Sequence, residues 1–500
     1  MKVSKDLVRC YLFYEFKVSL SGSVSSHRIC QVFGNSVVNE CTVRHWFQKF
    51  KSEDLSLCDE PHSGRPHDSD DKALHEAIEE NNSPTSGELT KQFNFFDETV
   101  RLHLHILVLL FGTLTISVTA SYIDDSYSDY SEEIISNSGC NPLQNCLAPN
   151  CSCFGVVPLQ GNTKRLPQFV VLTFDDAVTT LNIKTYRQLL DGRKNSNGCP
   201  ATASFFVTHE YNDYEFVNEL YKKGHDIAVH SITHESDTEM WKKAPQARWQ
   251  AEMTGMRQIL SKFGLIPSSE IQGQRVPFLQ SAGDDTFATL KDYGFTYDSS
   301  MPSRAFMDPP LWPYTLDFGY LQDCQIPPCP ASTYPGLWLF PMVQWKQTSK
   351  VGNTVMEFHC SMLDACTPYP TTEKETYAYM MSNFERHYSS NKAPFPVFLH
   401  EAWLRDENRL KGFIAFLDAM RQKEDVFVVS IREVLEYMKN PIDLEEYKSQ
   451  RKCSTNYRAK AEDCKPVTCN FKKRNILMKS CIPCPKRYPW LGNPEGQILQ

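Results

Sequence analysis

The apolar run Phe169-Val-Val-Leu-Thr-Phe174 ends abruptly in two adjacent carboxylates, Asp175 and Asp176. A run of this kind reads as a buried strand. A buried strand that delivers carboxylates at its C-terminal tip is how a parallel barrel presents reactive groups to its open face. By itself the pattern also fits a strand followed by a polar turn. The segments that follow in the chain decide between the two.

From Gln168 onward, short apolar runs alternate with helical patterns. Phe169–Phe174, Ala203–Val207, Asp226–Val229, Phe295–Tyr297, Leu337–Pro341, Val397–His400 and Val426–Ser430 are the expected strands. Tyr214–Lys223, Arg248–Phe263, Thr286–Tyr293, Thr372–Ser389 and Leu410–Lys423 carry the helical spacing between them. Repeated strand–helix units predict an α/β fold around a parallel sheet, either a barrel or doubly wound.

At 500 residues the chain exceeds the ~150 typical of one domain, so more than one unit is expected. Its net charge of −8 gives no global basic field that would favour nucleic acid. Of 18 cysteines, four lie before residue 105 and 14 lie from Cys140 to Cys484. That even, dense set predicts a disulfide framework made in an oxidising compartment. The last five, Cys453, Cys464, Cys469, Cys481 and Cys484, are odd in number. If all 14 pair, at least one bridge ties the tail to the main body. Cys481-Ile-Pro-Cys484 also has the spacing of a zinc or redox pair, but no second pair or nearby His completes such a site.

Residues 1–105 have a different character. Ser25–Phe33 and Thr42–Phe50 have helical spacing, the second with Val43, Trp46, Phe47 and Phe50 on one face. Together they predict a helix-turn-helix, and Ser63-Gly-Arg-Pro66 an extended basic linker suited to a minor groove. Val38–Pro66 resembles the DNA-binding region of mariner-type transposases. That resemblance implies a small all-α region and DNA as a partner of residues 1–105. The region nevertheless counts 12 Lys and Arg against 16 Asp and Glu, which works against phosphate binding. A helical bundle with no DNA role is the alternative.

Ile106–Ala120 follows, with Arg101 ahead of it and Val118-Thr-Ala120 at its end. It falls short of the ~20 residues that span a bilayer but matches the apolar core of a secretory signal. No stable membrane span is therefore expected. A DNA-binding module ahead of an export signal is incoherent as one mature product. Residues 1–105 are therefore expected to be a mobile-element insertion or a mis-joined gene, with a secreted protein beginning near Ser121. Residues 121–139 read as a flexible acidic linker, 140–445 as the main domain and 446–500 as a cysteine-rich tail. Asn150-Cys-Ser152 is a glycosylation acceptor if the protein is secreted.

Four further motifs carry chemistry. His230-Ser-Ile-Thr-His234 directly follows a strand, so it shares the rim of Asp175 and Asp176. Histidines at i and i+4 on a helical turn would present both rings to one side, ligand spacing for a divalent metal. Two His and one carboxylate leave positions for water and substrate. In Arg275-Val-Pro-Phe278 the guanidinium can hold a carboxylate ionised, while Pro277 stiffens the turn. Asp298 ends another strand, and Trp312 and Tyr314 offer flat faces for sugar rings or, equally, for the core. Pro396-Val-Phe-Leu-His400 is a buried strand ending in a group that can protonate a leaving amine.

Thr173-Phe-Asp-Asp176, His230-x-x-x-His234, Arg275-x-Pro-Phe278, Asp298 with Trp312-Pro-Tyr314, and Leu399-His400 resemble, in order, the five motifs of NodB-type polysaccharide deacetylases. With Cys146–Cys153 and the cysteine-rich tail, the form over about 140–484 is similar to the insect chitin deacetylases. The resemblance implies a distorted (β/α) barrel and a monomer that removes acetyl groups from N-acetylglucosamine units of chitin or chito-oligosaccharides. It implies Asp175 as general base, with Asp176, His230 and His234 binding a divalent metal, usually zinc (Zn2+). Arg275 would steady Asp175, and His400 would be the general acid, tuned by Asp298. Pro277, Phe278, Trp312, Tyr314 and Leu399 would line the substrate. Glu401 is a departure, more polar than the family pattern at that position.

Overall fold

The computed structural model describes Val43 and residues 139–156, 165–351, 354–450, 453, 458, 460–472 and 476–498. The chain divides into two units, Met1–Val118 and Thr119–Gln500. Apart from the helical, buried Val43, the expected helix-turn-helix, apolar segment and acidic linker lie outside the described residues.

In the second unit the strands are β1 Gln168–Asp175, β2 Ser204–Val207, β3 Asp226–Val229, β4 Gly273–Gln274, β5 Tyr297–Asp298, β6 Pro302–Ser303, β7 Tyr314–Leu316 and β8 Tyr334–Leu339. They continue with β9 Met342–Val343, β10 Trp345–Val351, β11 Thr354–Cys360, β12 Phe395–Leu399, β13 Val426–Val429, β14 Val467–Phe471 and β15 Ile476–Ser480. The helices are α1 Ile183–Leu190, α2 Tyr214–Lys222, α3 Thr238–Lys243, α4 Gln246–Gly264 and α5 Asp284–Asp292. After these come α6 Glu373–Tyr388, α7 Glu407–Arg421, α8 Ile431–Lys439 and α9 Leu444–Gln450.

The main sheet runs β12-β1-β2-β3-β4-β5-β8-β7, with β13 paired to the start of β1. All neighbours are parallel except β7 on β8. All eight residues of β1 are buried, because the strand is covered on both faces. Side chains alternate along it. Val170, Leu172 and Phe174 face the helices, whereas Phe169 and Val171 join an inner core with Phe206, Tyr297, Trp338, Phe398 and Phe427. Strands from both ends of the sheet thus share one interior, so the sheet is rolled into a barrel. It is distorted because β12 and β7 do not pair with each other among the described residues.

Local signals account for several of the helix starts. Thr372 with Glu375 and Ser430 with Glu433 form capping boxes at α6 and α8, and Asp213 and Asp406 cap α2 and α7. The hairpin β10–β11 was not expected, although its two runs flank the turn-forming pair Gly352-Asn353. The tail hairpin β14–β15 was likewise missed.

All 14 cysteines from Cys140 onward are paired. Cys199–Cys453 is the bridge that ties tail to barrel, as the odd count required. Cys481 and Cys484 bond to Cys464 and Cys469, which rules out the zinc or redox pair. No helix among the described residues is long and apolar enough to cross a membrane.

Candidate active site

Register places the chemistry at one rim. Phe174 is level with Leu399 and Asp175 with Phe206, while Val229 is level with Gln274. Asp175, His230, Arg275 and His400 therefore leave the C-terminal ends of β1, β3, β4 and β12 together. Asp175 continues the inward-facing row of β1 and is buried at 4% exposure. Asp176 turns out of the strand with φ 82, a left-handed conformation that points it to the exposed rim.

Two like groups in sequence thus meet unlike surroundings. Arg275 Nη1 donates to Asp175 Oδ1 at 2.6 Å and to Thr173 Oγ1 at 2.9 Å. Its Nε donates to the Ser299 carbonyl at 2.6 Å and Nη2 to Ser299 Oγ at 3.0 Å. The guanidinium also lies over the rings of Phe206 and Phe398. Burial by itself would raise the Asp175 pKa, but Arg275, His230 and His400 outweigh it and hold the carboxyl below its ordinary value.

One ligand atom each from Asp176, His230 and His234 lies within 4.8 Å of the others. His230 Nδ1 is 2.8 Å from the Arg275 carbonyl, which can only accept. The proton therefore sits on Nδ1 and leaves Nε2 as a lone-pair donor. Burial lowers the His230 pKa to about 4, so the ring is neutral near pH 7, as a ligand must be. These donors fit a divalent cation with nitrogen and oxygen ligands.

The histidines do not lie on a helical turn, contrary to expectation. Ser231 and His234 have φ 72 and 43, which a helix excludes. The buried carboxylate of Glu252, on α4, accepts from the Ile232 and Thr233 amides at 2.9 and 3.0 Å and from Thr233 Oγ1 at 2.6 Å. Ser231 Oγ accepts from the His234 amide at 3.1 Å. This pinned loop brings the two rings to 5.0 Å.

His400 has a different partner from the one expected. Asp364 Oδ2 is 2.7 Å from His400 Nδ1 and accepts from the His400 amide at 2.8 Å. Burial disfavours the charged ring, but the Asp364 hydrogen bond and the charges of Asp175, Asp364 and Asp176 raise its pKa to about 9. Nε2 points toward Asp176, 3.9 Å away. Asp298 instead accepts from Gln274 Nε2, Ser300 Oγ and the Ser300 amide, inside the barrel. Burial raises Asp298 to about 6. Sequence reasoning missed Asp364; its signal was a carboxylate inside the short disulfide loop Cys360–Cys366.

The expected substrate-lining residues divide. Phe278 is 46% exposed with its ring 4.9 Å from that of His234, and Pro277 beside it is buried. Trp312 and Tyr314 are core residues, 3% and 0% exposed, with no face open for a sugar. Leu399 faces the helix layer, and its neighbour Phe398 faces the interior. Glu401 is buried and accepts from Thr185 Oγ1 at 2.6 Å and Arg405 Nε at 3.1 Å.

A family model described as polysaccharide deacetylase matches residues 162–297. Chitin deacetylase 8 of Bombyx mori is 40% identical over 357 residues, 70% of this chain and 92% of that protein. The chain belongs to the chitin deacetylase family. Chitin deacetylase 1 of Bombyx mori is 33% identical over 366 residues, 70% of this chain and 67% of that protein. Residues 5–54 match a second family model, the HTH domain in Mos1 transposase. The human histone-lysine N-methyltransferase SETMAR is 36% identical over 104 residues, 21% of this chain and 15% of that protein. Family membership covers the second unit and carries no information about the first.

Proposed function

We propose that the chain hydrolyses the N-acetyl amide of N-acetylglucosamine units in chitin or chitin oligomers, releasing acetate and leaving a free amine. The supporting observation is the pairing of Asp175 with Arg275, beside Asp176, His230 and His234 but distinct from them. A divalent cation held by those three residues, with zinc the proposed metal, would polarise the amide carbonyl and acidify a water.

The protein's own groups supply the rest. Asp175, kept ionised by Arg275, takes the proton from the attacking water as its oxygen bonds to the carbonyl carbon. His400, positioned by Asp364, gives a proton to the departing nitrogen as the C–N bond breaks. Phe278 offers an apolar surface to the sugar beside His234. Acetate release from chitin oligomers with zinc present tests the reading, with Asp175→Asn as control. Equal slow release by both proteins would leave a carbohydrate-binding protein without turnover.

Seven disulfides support an oxidising, extracellular setting for the second unit. Amino-terminal sequencing of protein recovered from medium tests this; a start at Met1 would overturn removal of the first unit. A second reading, DNA binding by residues 1–105, is favoured by the family match over 5–54. A gel shift by the full chain at low salt, lost as salt rises, is its expected outcome.

A further inference from the structure

We infer that Glu401 is a positioning residue for the proton donor His400, fixing it against the segment that carries Asp176. The inference rests on the deacetylase reading and adds a supporting group to it. Glu401 is the residue that departs from the family pattern in the sequence, and it is buried, at 5% exposure. A carboxylate taken out of water costs stability unless its oxygens are paired and hydrogen-bonded. Burial, then the charges of Glu401, Asp176 and Asp175, push the Tyr186 hydroxyl on α1 far above its ordinary pKa. All three carboxylates therefore lie near one side chain, beneath the rim.

The two oxygens of Glu401 have unlike partners. Oε2 accepts from Arg405 Nε at 3.1 Å, which closes the turn Glu401–Arg405 on itself. Oε1 accepts from Thr185 Oγ1 at 2.6 Å, which joins that turn to α1. The helix is a firm anchor, because Ile183, Tyr186, Leu189 and Leu190 bury one of its faces. Asn182, just ahead of it, donates Nδ2 to the Ala177 carbonyl at 2.8 Å and accepts from the Thr179 amide at 2.8 Å. Ala177 directly follows Asp176.

These bonds close a ring from Asp176 through Ala177, Asn182, Thr185 and Glu401 to His400. The gap left in the ring is the 3.9 Å between His400 Nε2 and Asp176 Oδ2. Strand pairing alone does not set that gap. β1 and β12 are in register as far as Phe174 and Leu399, after which Asp176 turns away with its left-handed φ of 82. Asp364 orients the imidazole, whereas Glu401 holds the main chain immediately beyond it. A displacement of about 1 Å between reacting groups can cost roughly 10²-fold in rate. A bond that fixes this spacing therefore governs turnover without touching substrate.

Steady-state kinetics and zinc content of the full chain test this on Glu401→Ala, Glu401→Gln, Thr185→Val and the double variant Thr185→Val/Glu401→Ala. Glu401→Ala and Thr185→Val should each lower kcat about tenfold, with KM and zinc content unchanged. The double variant should fall no further than the slower single one, because both remove the same bond. Glu401→Gln should keep most of the rate, since its amide oxygen still accepts from Thr185. Losses that multiply in the double variant, or a Glu401→Gln protein as slow as Glu401→Ala, would overturn the inference.

Hydrogen exchange over residues 400–405 gives a second readout that needs no turnover. Both single variants that break the Thr185 bond should open these amides faster than wild type, and Glu401→Gln should not. Unchanged exchange in Glu401→Ala and Thr185→Val would also overturn the inference. Absence of acetate release from wild type, with exchange responding as expected, would count against the deacetylase reading alone.

Discussion

Asp364 holds His400 at two points, Nδ1 at 2.7 Å and the backbone amide at 2.8 Å, with the same carboxylate oxygen. The double contact fixes the ring's orientation and occupies the Nδ1 proton, leaving the Nε2 proton at the rim to be given away. Asp364→Asn should therefore keep its metal and its fold but lower kcat roughly 10²-fold or more. Steady-state kinetics beside metal content and melting temperature check this. An unchanged kcat would remove Asp364 from the proton path.

The adjacent aspartates should separate experimentally. Asp176→Ala should lose metal and activity together. Asp175→Asn should retain metal and lose turnover, by about 10²–10⁴-fold for a missing general base. Metal content measured on both purified variants is decisive, and equal loss in the two would undo the division of roles.

Arg275 is fully buried and compensates the buried charge of Asp175. Arg275→Met should destabilise the protein by about 3–5 kcal/mol, because it strands an uncompensated carboxylate. Urea unfolding at neutral pH measures it. Adding Asp175→Asn to Arg275→Met should recover part of the loss. No recovery would mean that packing over Phe206 and Phe398, rather than charge, dominates.

Acid should unfold this protein earlier than its carboxylates alone require. Burial pushes both His225 and His387 down to about 3. Above pH 6.5 both are neutral, folded or unfolded, and stability is fully present. As pH falls from 6.5 toward 3, the unfolded chain takes up protons that the folded protein refuses. Stability then drops by ~1.4 kcal/mol per pH unit for each ring. His225→Asn should make the decline shallower, read as melting temperature between pH 7 and 5; an unchanged slope would show that the ring does not contribute.

Much of the fold was legible because it is periodic. Asp226–Val229 forms a strand with those same bounds, and each of the other strands and helices expected from Gln168 onward has a counterpart displaced by a few residues. The hairpin β10–β11 was overlooked because its strands carry exposed polar residues and so lack an apolar run. Trp312 and Tyr314 show the limit of composition, since an aromatic ring suits a sugar and a core equally well until its surroundings are known.

By itself the sequence determined most of the strand–helix repeat from Gln168 onward, within a few residues at its ends. It placed Asp175, Asp176, His230 and His400 at strand tips, because strand period and burial are local properties, whereas the two-residue strand ahead of Arg275 was not expected. Only the tertiary structure decided who pairs with whom. Arg275 meets Asp175 across 100 residues, and His400 meets Asp364 rather than Asp298 across 36. The left-handed loop that aims His234 depends on Glu252 from a distant helix. Such partners are set by strand register and packing, where side chains far apart in sequence compete for the same buried hydrogen bonds.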